Sequence, residues 1–307
     1  EKDEREYIEE LERLFSQAVK RQLVSDVPIG SYLSGGMDSG SITAIASNHF
    51  QQSNEFLKTF TVGFDLSSIS GLERSFDERA KAEFMSYKFK TEHYEMVLKS
   101  GDMERCLPNF AYHLEEPRVG QSYPNYYAAK LSSKFVKVVL SGVGGDELFA
   151  GYPWRYYKAT SNKNFDDYID KYYKFWQRLI PNKEVKNLFS PILEYTKNVW
   201  TRDIFKDVFK TSSIAKTPED YINHSLYFEA KTFLHGLLVV EDKLSMAHSL
   251  ETRVPFLDND LVDFAQKIPI KYKLKNLHKA IKIDENDINK FDKSNDGKII
   301  LRKSMKK

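Results

Sequence analysis

The stretch SYLSGGMDSG (residues 31–40) decides the fold prediction, because two adjacent glycines separate an apolar run from a helical pattern. The run before it, VPIGSYL (27–33), has the composition of a buried strand. After it, DSGSITAIASNHF (38–50) carries Ile42, Ile45 and Ala46 at helical spacing. A glycine-rich connection of this kind either makes a tight turn or holds a phosphate group. The ten residues by themselves leave both interpretations open.

Three further strand-like runs follow, namely LKTFTVGF (57–64), EHYEMVL (92–98) and FVKVVLS (135–141), with helical stretches between them. This alternation predicts an α/β fold, a parallel sheet with helices on both faces. Beyond residue 153, aromatic helical segments such as DDYIDKYYKFWQRLI (166–180) dominate and predict a helix-rich C-terminal half. The predicted organisation is one helix over residues 1–25, an α/β core over 26–152 and a mainly helical part over 153–307.

The composition excludes several classes of function. The 307 residues contain 46 Lys and Arg against 44 Asp and Glu, so a net charge of +2 gives no general attraction to nucleic acid or anionic membranes. The single cysteine, Cys106, excludes a disulfide framework and a Cys-rich metal site, and we expect it to be a buried thiol. No apolar run approaches the ~18 residues of a membrane span, and the acidic start EKDEREYIEE is unlike a signal peptide. We therefore expect a cytoplasmic protein with neither a nucleic acid nor a membrane as partner.

The loop after the first strand has the chemistry of a phosphate site. Gly35 and Gly36 would let the backbone approach an anion, and the helix that follows offers free N–H groups. Ser34 and Ser39 would add hydroxyl donors. Asp38 would repel a phosphate unless a cation intervened, which implies a bridging Mg²⁺. The alternative is a simple Gly-Gly turn in which Asp38 is the helix N-cap.

A second loop, LSGVGGDELFAGY (140–152), repeats this arrangement of strand, Ser-Gly, further glycines and acidic residues. Its alternative interpretation is a helix with Asp146 and Glu147 favourably placed at the N-terminus. Two such loops in one parallel sheet lie at the same edge, because ligands and loops gather at the C-terminal ends of the strands. Asp38 and Asp146 would then share a cation with a triphosphate.

Several motifs together carry a family resemblance. SYLSGGMDS resembles the pyrophosphate loop of the N-type ATP pyrophosphatases, whose fold is of the adenine nucleotide alpha hydrolase type. In combination with LSGVGGDELFAGY and DKLSMAHSLETRVPFLD (242–258), the chain is similar to the synthetase domain of asparagine synthetases. TFTVGF (59–64) and GKIILRKSM (297–305) match two more stretches of that family. The resemblance covers about residues 4 to 305.

The resemblance implies an ATP-dependent, amide-forming ligase with ATP and Mg²⁺ as cofactors. It would activate a carboxylate, most simply the aspartate side chain, as the acyl-adenylate, release pyrophosphate, and let ammonia displace AMP to give asparagine. By position, the resemblance assigns adenine contacts to main-chain groups of Leu33 and Val62, and pyrophosphate contacts to Ser34, Gly35, Gly36 and Ser39. It assigns nucleotide contacts to Ser141 and Gly142, Mg²⁺ binding to Asp38 and Asp146, and phosphate contacts during adenylation to Lys298. The residues that it places at the acceptor substrate or the site wall are Val143, Glu147, Glu251 and Arg253. Mg²⁺ and a lysine would neutralise the charge that develops when a carboxylate attacks the α-phosphorus. The alternative for Lys298 is a solvated surface lysine.

The chain departs from the family pattern at several places. Val143 stands where well-studied asparagine synthetases have Glu, and EEPRVGQSYPNYY (115–127) lacks a Thr- and Arg-rich loop found in some members. The chain begins with the linker helix, so we expect ammonia from a glutaminase domain in cis or in trans, and no glutamine hydrolysis by this polypeptide. It ends at MKK, so we expect a truncated C-terminal tail. A homodimer is left open.

Three functions therefore compete. The first is asparagine synthesis. The second is an amidotransferase that acts on another carboxylate, such as a sugar acid or a secondary metabolite, with β-lactam formation as its intramolecular version. The third is a nucleotide-binding module without catalysis, against which the presence of Asp38, Asp146 and Lys298 argues.

Overall fold

The computed structural model describes residues 3–67, 77–116, 122–156, 162–177, 180–209, 215–275 and 296–306. Its strands are β1 (Ile29–Tyr32), β2 (Lys58–Phe64), β3 (Glu92–Leu98), β4 (Val138–Leu140) and β5 (Glu251–Arg253). Its α-helices are α1 (Glu4–Gln22), α2 (Met37–Gln52), α3 (Arg79–Phe89), α4 (Asp102–Leu114), α5 (Tyr123–Ser132), α6 (Gly145–Phe149), α7 (Pro153–Tyr156), α8 (Phe165–Trp176), α9 (Asn182–Leu188), α10 (Leu193–Thr196), α11 (Thr201–Asp207), α12 (Pro218–Phe228), α13 (Leu234–Met246), α14 (Asn259–Lys267), α15 (Ile270–Lys273) and α16 (Ile299–Ser304). Residues 117–121 of the segment EEPRVGQSYPNYY lie outside the described residues.

The strands form one sheet in the order β3-β2-β1-β4-β5, and every neighbouring pair is parallel. The chain runs outward from β1 to β3 and then returns to place β4 on the other side of β1. The order of strands therefore reverses between β1 and β4, which is where open α/β sheets bind their ligands. The predicted α/β class and the four predicted strands are confirmed.

Helices cover both faces of the sheet because successive side chains of a strand point to opposite sides. Ser31 of β1 faces α2, where its hydroxyl lies 3.1 Å from that of Thr43. The next residue, Tyr32, packs on the other face against a buried cluster that includes Phe60 and Val139 together with Ala129 of α5. Helices α4, α5 and α13 continue this second layer through Cys106, Phe110, Leu114, Tyr126, Val240 and Leu244.

Strand β5 lies within the predicted helix-rich C-terminal half and was not predicted as a strand. It pairs Thr252 with Val139 and Arg253 with Leu140, and so completes the sheet. With three residues it is too short for an alternating pattern to identify it. Its conformation follows from pairing with the buried strand β4 rather than from the propensity of its own residues.

The described residues divide into two compact units. The first comprises Glu1–Phe149, Leu234–Ile268 and Ile300–Lys307 and contains the sheet. The second comprises Ala150–Phe233 and Pro269–Ile299 and is helical in its described part. The chain thus leaves the first unit after α6 and returns to it with α13. The boundary predicted at residue 152 stays a prediction.

The second unit packs around an aromatic cluster with a buried ion pair. The cluster consists of Tyr168, Ile169, Tyr172, Tyr173, Phe205, Phe209, Tyr221 and Phe228. Glu229 is fully buried and accepts hydrogen bonds from the hydroxyls of Tyr156 at 2.8 Å and Tyr172 at 3.1 Å, with the Arg155 guanidinium at 3.6 Å. These partners make the buried carboxylate tolerable, because an uncompensated charge in this position would be costly.

Two predictions about the whole chain can be compared with the structure. Within the described residues no helix is long and apolar enough to cross a membrane. Cys106 is buried, and its thiol donates to the carbonyl of Met103 at 3.3 Å. The prediction of a buried thiol is therefore confirmed.

Candidate functional site

The loop between β1 and α2 does not use Asp38 as a cap. The N-cap of α2 is Gly36, which has no side chain with which to cap the helix, and the helix begins at Met37. Asp38 lies inside the first turn, one residue beyond the helix start. The alternative interpretation of Asp38 as the helix N-cap is therefore wrong.

The same loop is ordered by its own serines. Ser34 donates its N–H to the hydroxyl of Ser39 at 3.1 Å, and the two hydroxyls lie 3.0 Å apart. Gly36 donates to the Ser34 hydroxyl at 3.3 Å, and Ser39 bonds the Gly36 carbonyl at 3.3 Å. Gly35 has φ +73°, and a Cβ there would lie 2.5 Å from Cβ of Lys81, so only glycine fits. The loop is thus held in shape by contacts within the chain.

The loop between β4 and α6 is held in a similar way. Ser141 donates its N–H to the carbonyl of Arg253 at 2.8 Å, and Val143 donates to the Ser141 hydroxyl at 3.4 Å. Gly144 has φ +100°, and a Cβ there would lie 2.7 Å from Leu257. Helix α6 then starts at Gly145. Of its two acidic residues, Asp146 is half-buried and Glu147 is buried.

The two loops meet at the side chain of Asp38. A Cβ at Gly142 would lie 3.1 Å from Cβ of Asp38, and a Cβ at Gly145 would lie 2.6 to 2.8 Å from the three carboxylate atoms. The Asp38 carboxylate therefore faces the residue that directly precedes Asp146 in the chain. The structure brings together the two glycine-rich loops that the sequence predicts at one edge of the sheet.

The oxygen atoms at this junction suit a hard divalent cation. No group of three or more His, Cys, Asp or Glu side chains among the described residues could hold a metal ion by itself. Mg²⁺ is commonly bound by one or two carboxylates together with substrate phosphates and water, and it does not need a cage made only of protein. Asp38 and Asp146 fit that role, and their assignment as ligands stays a prediction.

Beyond the end of β1, strand β2 offers main-chain groups to a ligand. β1 ends at Tyr32, which is opposite Phe60, whereas β2 continues to Phe64. The Phe60 carbonyl accepts the N–H of Leu33 at 3.0 Å, so it points toward β1. Val62, two residues later, points to the same side, past the end of β1. Because the carbonyl of Leu33 also accepts the hydroxyl of Thr61, Val62 is the better placed of the two predicted adenine contacts.

Glu251 and Arg253 have neighbours that indicate a supporting role. The Arg253 guanidinium donates to the carbonyls of Gln22 and Val24 at 2.7 and 2.8 Å, at the C-terminal end of α1. It also bonds Glu251 at 2.6 Å. Through its carbonyl, Arg253 holds Ser141 in place. These contacts attach β5 to the end of α1 and to the loop after β4, and the assignment of Glu251 and Arg253 to the site wall stays a prediction.

Lys298 lies in the second unit, immediately before α16. It is buried and has φ +55°, so the alternative of a solvated surface lysine is wrong. Its contact with the phosphates stays a prediction.

Two acidic residues next to the loops were missed by the sequence analysis. Glu241 of α13 is half-buried. Burial raises the pKa of Glu241 to about 7, against a lowering effect of the Ser141 side chain. Glu78, which precedes α3, has a pKa raised by burial and lowered by Lys81 and by the hydroxyl of Ser34. The signal for Glu241 was an acidic residue that ends the apolar run LLVV (237–240).

Comparison with known proteins places the motifs in context. The protein family described as asparagine synthase matches residues 10–307. The chain is 31% identical over 304 residues to asparagine synthetase (glutamine-hydrolyzing) 1 of Bacillus subtilis strain 168, covering 89% of this chain and 46% of that protein. It is also 31% identical over 281 residues to asparagine synthetase (glutamine-hydrolyzing) 3 of the same strain, with coverage of 85% and 42%. The chain therefore spans less than half the length of these relatives.

Among solved structures, the U34-tRNA thiolase NcsA from Methanococcus maripaludis with its 4Fe-4S cluster is 15% identical to this chain. The match has a TM-score of 0.36 and covers 75% of this chain and 80% of the thiolase.

Proposed function

Because this chain belongs to the asparagine synthase family, we propose that it is the synthetase part of an ATP-dependent, amide-forming ligase. Its acceptor is the side-chain carboxylate of aspartate, which it adenylates with release of pyrophosphate. Ammonia then displaces AMP, and asparagine is the product. We place this activity in the cytoplasm.

The contact of Asp38 with Gly142 and Gly145 is the observation that carries this proposal. It joins the two glycine-rich loops at the edge where the strand order reverses between β1 and β4. A triphosphate in this position meets main-chain N–H groups and hydroxyls from the first loop and the nucleotide-lining residues Ser141 and Gly142 from the second. A simple tight turn would not require two such loops to pack on one carboxylate.

The residues of the chain divide the chemistry between them. Ser34, Gly35, Gly36 and Ser39 hold the pyrophosphate both before and after it leaves. Asp38 and Asp146 hold Mg²⁺, which supplies positive charge against the phosphate oxygens as the carboxylate attacks. For Lys298, the family resemblance predicts a second positive charge on the phosphates. Val62 and Leu33 hold the adenine through their main-chain groups.

The ammonia comes from a glutaminase domain outside the residues of this chain. The two Bacillus relatives are named as glutamine-hydrolysing, and this chain covers 46% and 42% of their lengths. Cys106 is not suited to be the nucleophile of such a reaction. Burial raises the pKa of its thiol and so disfavours the thiolate, which is the reactive form.

A second candidate acceptor is a carboxylate other than aspartate, such as a sugar acid or a secondary metabolite. The observation in its favour is Val143, which is half-buried in the second loop and donates its N–H to Ser141. A valine side chain can neither accept a proton nor bind an ammonium group. This residue lies on the acceptor side, so it affects the choice of carboxylate and leaves the ATP chemistry unchanged.

Pyrophosphate exchange into ATP tests the proposal. We expect the purified chain to exchange labelled pyrophosphate only when Mg²⁺ and an acceptor carboxylate are both present, and aspartate to be the best of a panel that includes sugar acids. Asp38→Asn should abolish the exchange, whereas Asp263→Asn, the same change on the exposed face of α14, should not alter it. Exchange with a sugar acid alone would replace aspartate by the second candidate. Binding of Mg²⁺ and ATP without exchange for any acceptor would favour the non-catalytic module.

A further inference from the structure

We propose that two copies of this chain associate through an exposed apolar surface of the second unit. The surface is formed by residues 183–200 and the first turn of α11. Its most exposed apolar side chains, which we call the apolar patch, are Leu188, Ile192, Tyr195, Val199, Trp200 and Ile204. The inference goes beyond the proposed function and depends neither on the acceptor nor on the nucleotide site.

Both ends of residues 183–200 are fixed to the body of the second unit. The hydroxyl of Tyr173, on α8, donates to the side-chain oxygen of Asn182 at 3.0 Å and is hydrogen-bonded to the hydroxyl of Thr201. Tyr173 is buried in the aromatic cluster, and its ring packs on Phe205 of α11. The chain therefore leaves the body of the unit after Asn182 and returns to the same point at Thr201.

Helix α11 holds one end of the patch in a fixed direction. Ion pairs attach α11 to α8, between Arg202 and Asp170 and between Lys206 and Asp166. Phe205 is buried in the aromatic cluster, whereas its neighbour Ile204 is exposed. The N-cap residue Trp200 is four positions before Ile204 and so lies near the same outer face of the helix.

The short helices between the two anchors have no core of their own. α9, the 3₁₀ turn Ser190–Ile192 and α10, all of them described, contain no buried residue. Helices as short as the seven residues of α9 and the four of α10 are not stable alone in water, because helices gain most of their stability by packing an apolar face. A second surface placed on the patch would supply that packing.

The area of the patch corresponds to one side of a stable interface. Its six side chains are between 46% and 85% exposed, and a large apolar residue has roughly 200 Å² of surface, so the patch exposes roughly 700 Å². The largest apolar patch of a typical monomer is about 300–600 Å². Each partner in a standard interface buries about 800 Å². The patch and a polar rim around it are therefore sufficient for one half of a specific interface.

The charges around the patch favour a second copy of the chain as the partner. Residues 181–200 contain three lysines and two glutamates, namely Lys183, Lys186, Lys197, Glu184 and Glu194. This surface carries both signs and almost no net charge, so lysines of one copy can meet glutamates of the other across a two-fold axis. A nucleic acid or an anionic membrane would instead be attracted by a surface with an excess of positive charge.

In the proposed dimer the two patches pack face to face. Tyr195 and Trp200 are the residue types that contribute most to binding at the centre of an interface, and the charged side chains form its polar rim. Because the same surface is used by both copies, the contact is closed, and association stops at the dimer.

Sedimentation of the purified chain over a range of concentrations tests the inference. We expect a monomer–dimer equilibrium with a dissociation constant of about 10 µM or below. Tyr195→Glu changes the most exposed side chain of the patch and should weaken association by at least about 30-fold, as the loss of a central interface residue does. Leu188→Glu, at the other end of the patch, should act in the same direction. Tyr112→Glu makes the same change as Tyr195→Glu at a 77% exposed position of α4 and should leave association unchanged.

Circular dichroism and thermal unfolding at low protein concentration show whether each variant is folded. A wild-type chain that stays monomeric up to about 100 µM would overturn the inference. A dimer that Tyr195→Glu and Leu188→Glu, both folded, leave intact would overturn it as well, because the contact would then lie on another surface.

Two further measurements distinguish a second copy from other partners. In hydrogen exchange, the amides of residues 183–200 should be better protected at high than at low protein concentration, and those of α4 should not change. We expect no binding to vesicles of phosphatidylcholine and phosphatidylserine. Vesicle binding that Tyr195→Glu removes would assign the patch to a membrane and contradict the inference, and so would oligomers that grow beyond the dimer.

Discussion

Replacing Gly145 by alanine is the sharpest test of how the two loops meet. The new Cβ would lie 2.6 Å from Cγ of Asp38 and 2.7 and 2.8 Å from its two carboxylate oxygens. Ordinary contact begins at 3.4 Å, so the carboxylate must retreat by roughly 0.6 to 0.8 Å. Mg²⁺ requires ligand distances close to about 2.1 Å in a near-octahedral arrangement. A shift of this size removes the carboxylate from the position that the cation needs.

Gly145→Ala should lower both the stability of the chain and its binding of the nucleotide. Overpacking at Gly145 costs about 1–3 kcal/mol, and the change from glycine to alanine in a helix returns up to about 1 kcal/mol. We therefore expect a net loss of stability of up to about 3 kcal/mol. Binding of Mg²⁺ and a non-hydrolysable ATP analogue should weaken by at least about tenfold, equivalent to about 1.4 kcal/mol.

Calorimetric titration of the analogue with and without Mg²⁺ measures this effect, and thermal unfolding measures stability. Gly40→Ala is the matched control, because it lies in the body of α2 and its new Cβ meets only the flexible end of Met85 at 3.0 Å. It should bind the analogue as wild type does. If Gly145→Ala also binds the analogue with unchanged affinity and unchanged Mg²⁺ dependence, Asp38 does not hold the cation and our description of the site is wrong.

Four further predictions follow from the same structure. Asp38→Asn and Asp146→Asn should each abolish pyrophosphate exchange with an unchanged circular dichroism spectrum, because a neutral amide is a poor Mg²⁺ ligand; exchange near the wild-type rate would remove that residue from the metal site. Glu241→Gln should be more stable than wild type by up to about 3 kcal/mol above pH 7, and this gain should vanish as the pH falls below about 4.5. The reason is that burial raises the pKa of this carboxyl from 4.5 to about 7, so that only its ionised form destabilises the fold. A difference in unfolding free energy between variant and wild type that is the same at pH 4 and pH 8 would contradict this. Burial lowers the pKa of Lys273 from its usual 10.5 to about 7. The free energy of unfolding should therefore increase as the pH rises from 7 toward 10.5, and Lys273→Met should remove this pH dependence when unfolding is measured in urea. Cys106→Ser should leave ammonia-dependent amide formation unchanged, and glutamine should not replace ammonia in this chain, as a glutamate assay will show.

The sequence predicted the sheet well where periodicity and composition were strong. The strand predicted over 92–98 agrees with β3 at both ends. The run predicted over 135–141 is longer than the short, buried β4, and the three residues of β5 were missed. The conformation of both strands depends on pairing with their neighbours. Local sequence patterns contain no information about which distant segment will pair with an edge.

For the site, sequence order placed both glycine-rich loops at the ends of strands, and the structure places them in contact. What the sequence could not give was the direction of individual side chains. Nothing in the spacing showed that Asp38 faces Gly145 and is not the cap of α2. Glu241 was missed for a similar reason, since its raised pKa depends on burial in the folded chain, which the local sequence does not show.

The late arrival of β5 has a consequence for the synthesis of this protein. β4 is a run of two valines and a leucine, all buried, and its outer edge is covered by Glu251–Arg253. Until the ribosome has produced residue 253, those main-chain groups have no strand to pair with, and an open apolar edge of this kind favours aggregation. Chains that terminate early, between Ala150 and Leu234, should therefore accumulate in inclusion bodies or bind chaperones. Chains that extend past Ile268 should not aggregate in this way, so the risk of aggregation is greatest while the nascent chain is still shorter than this.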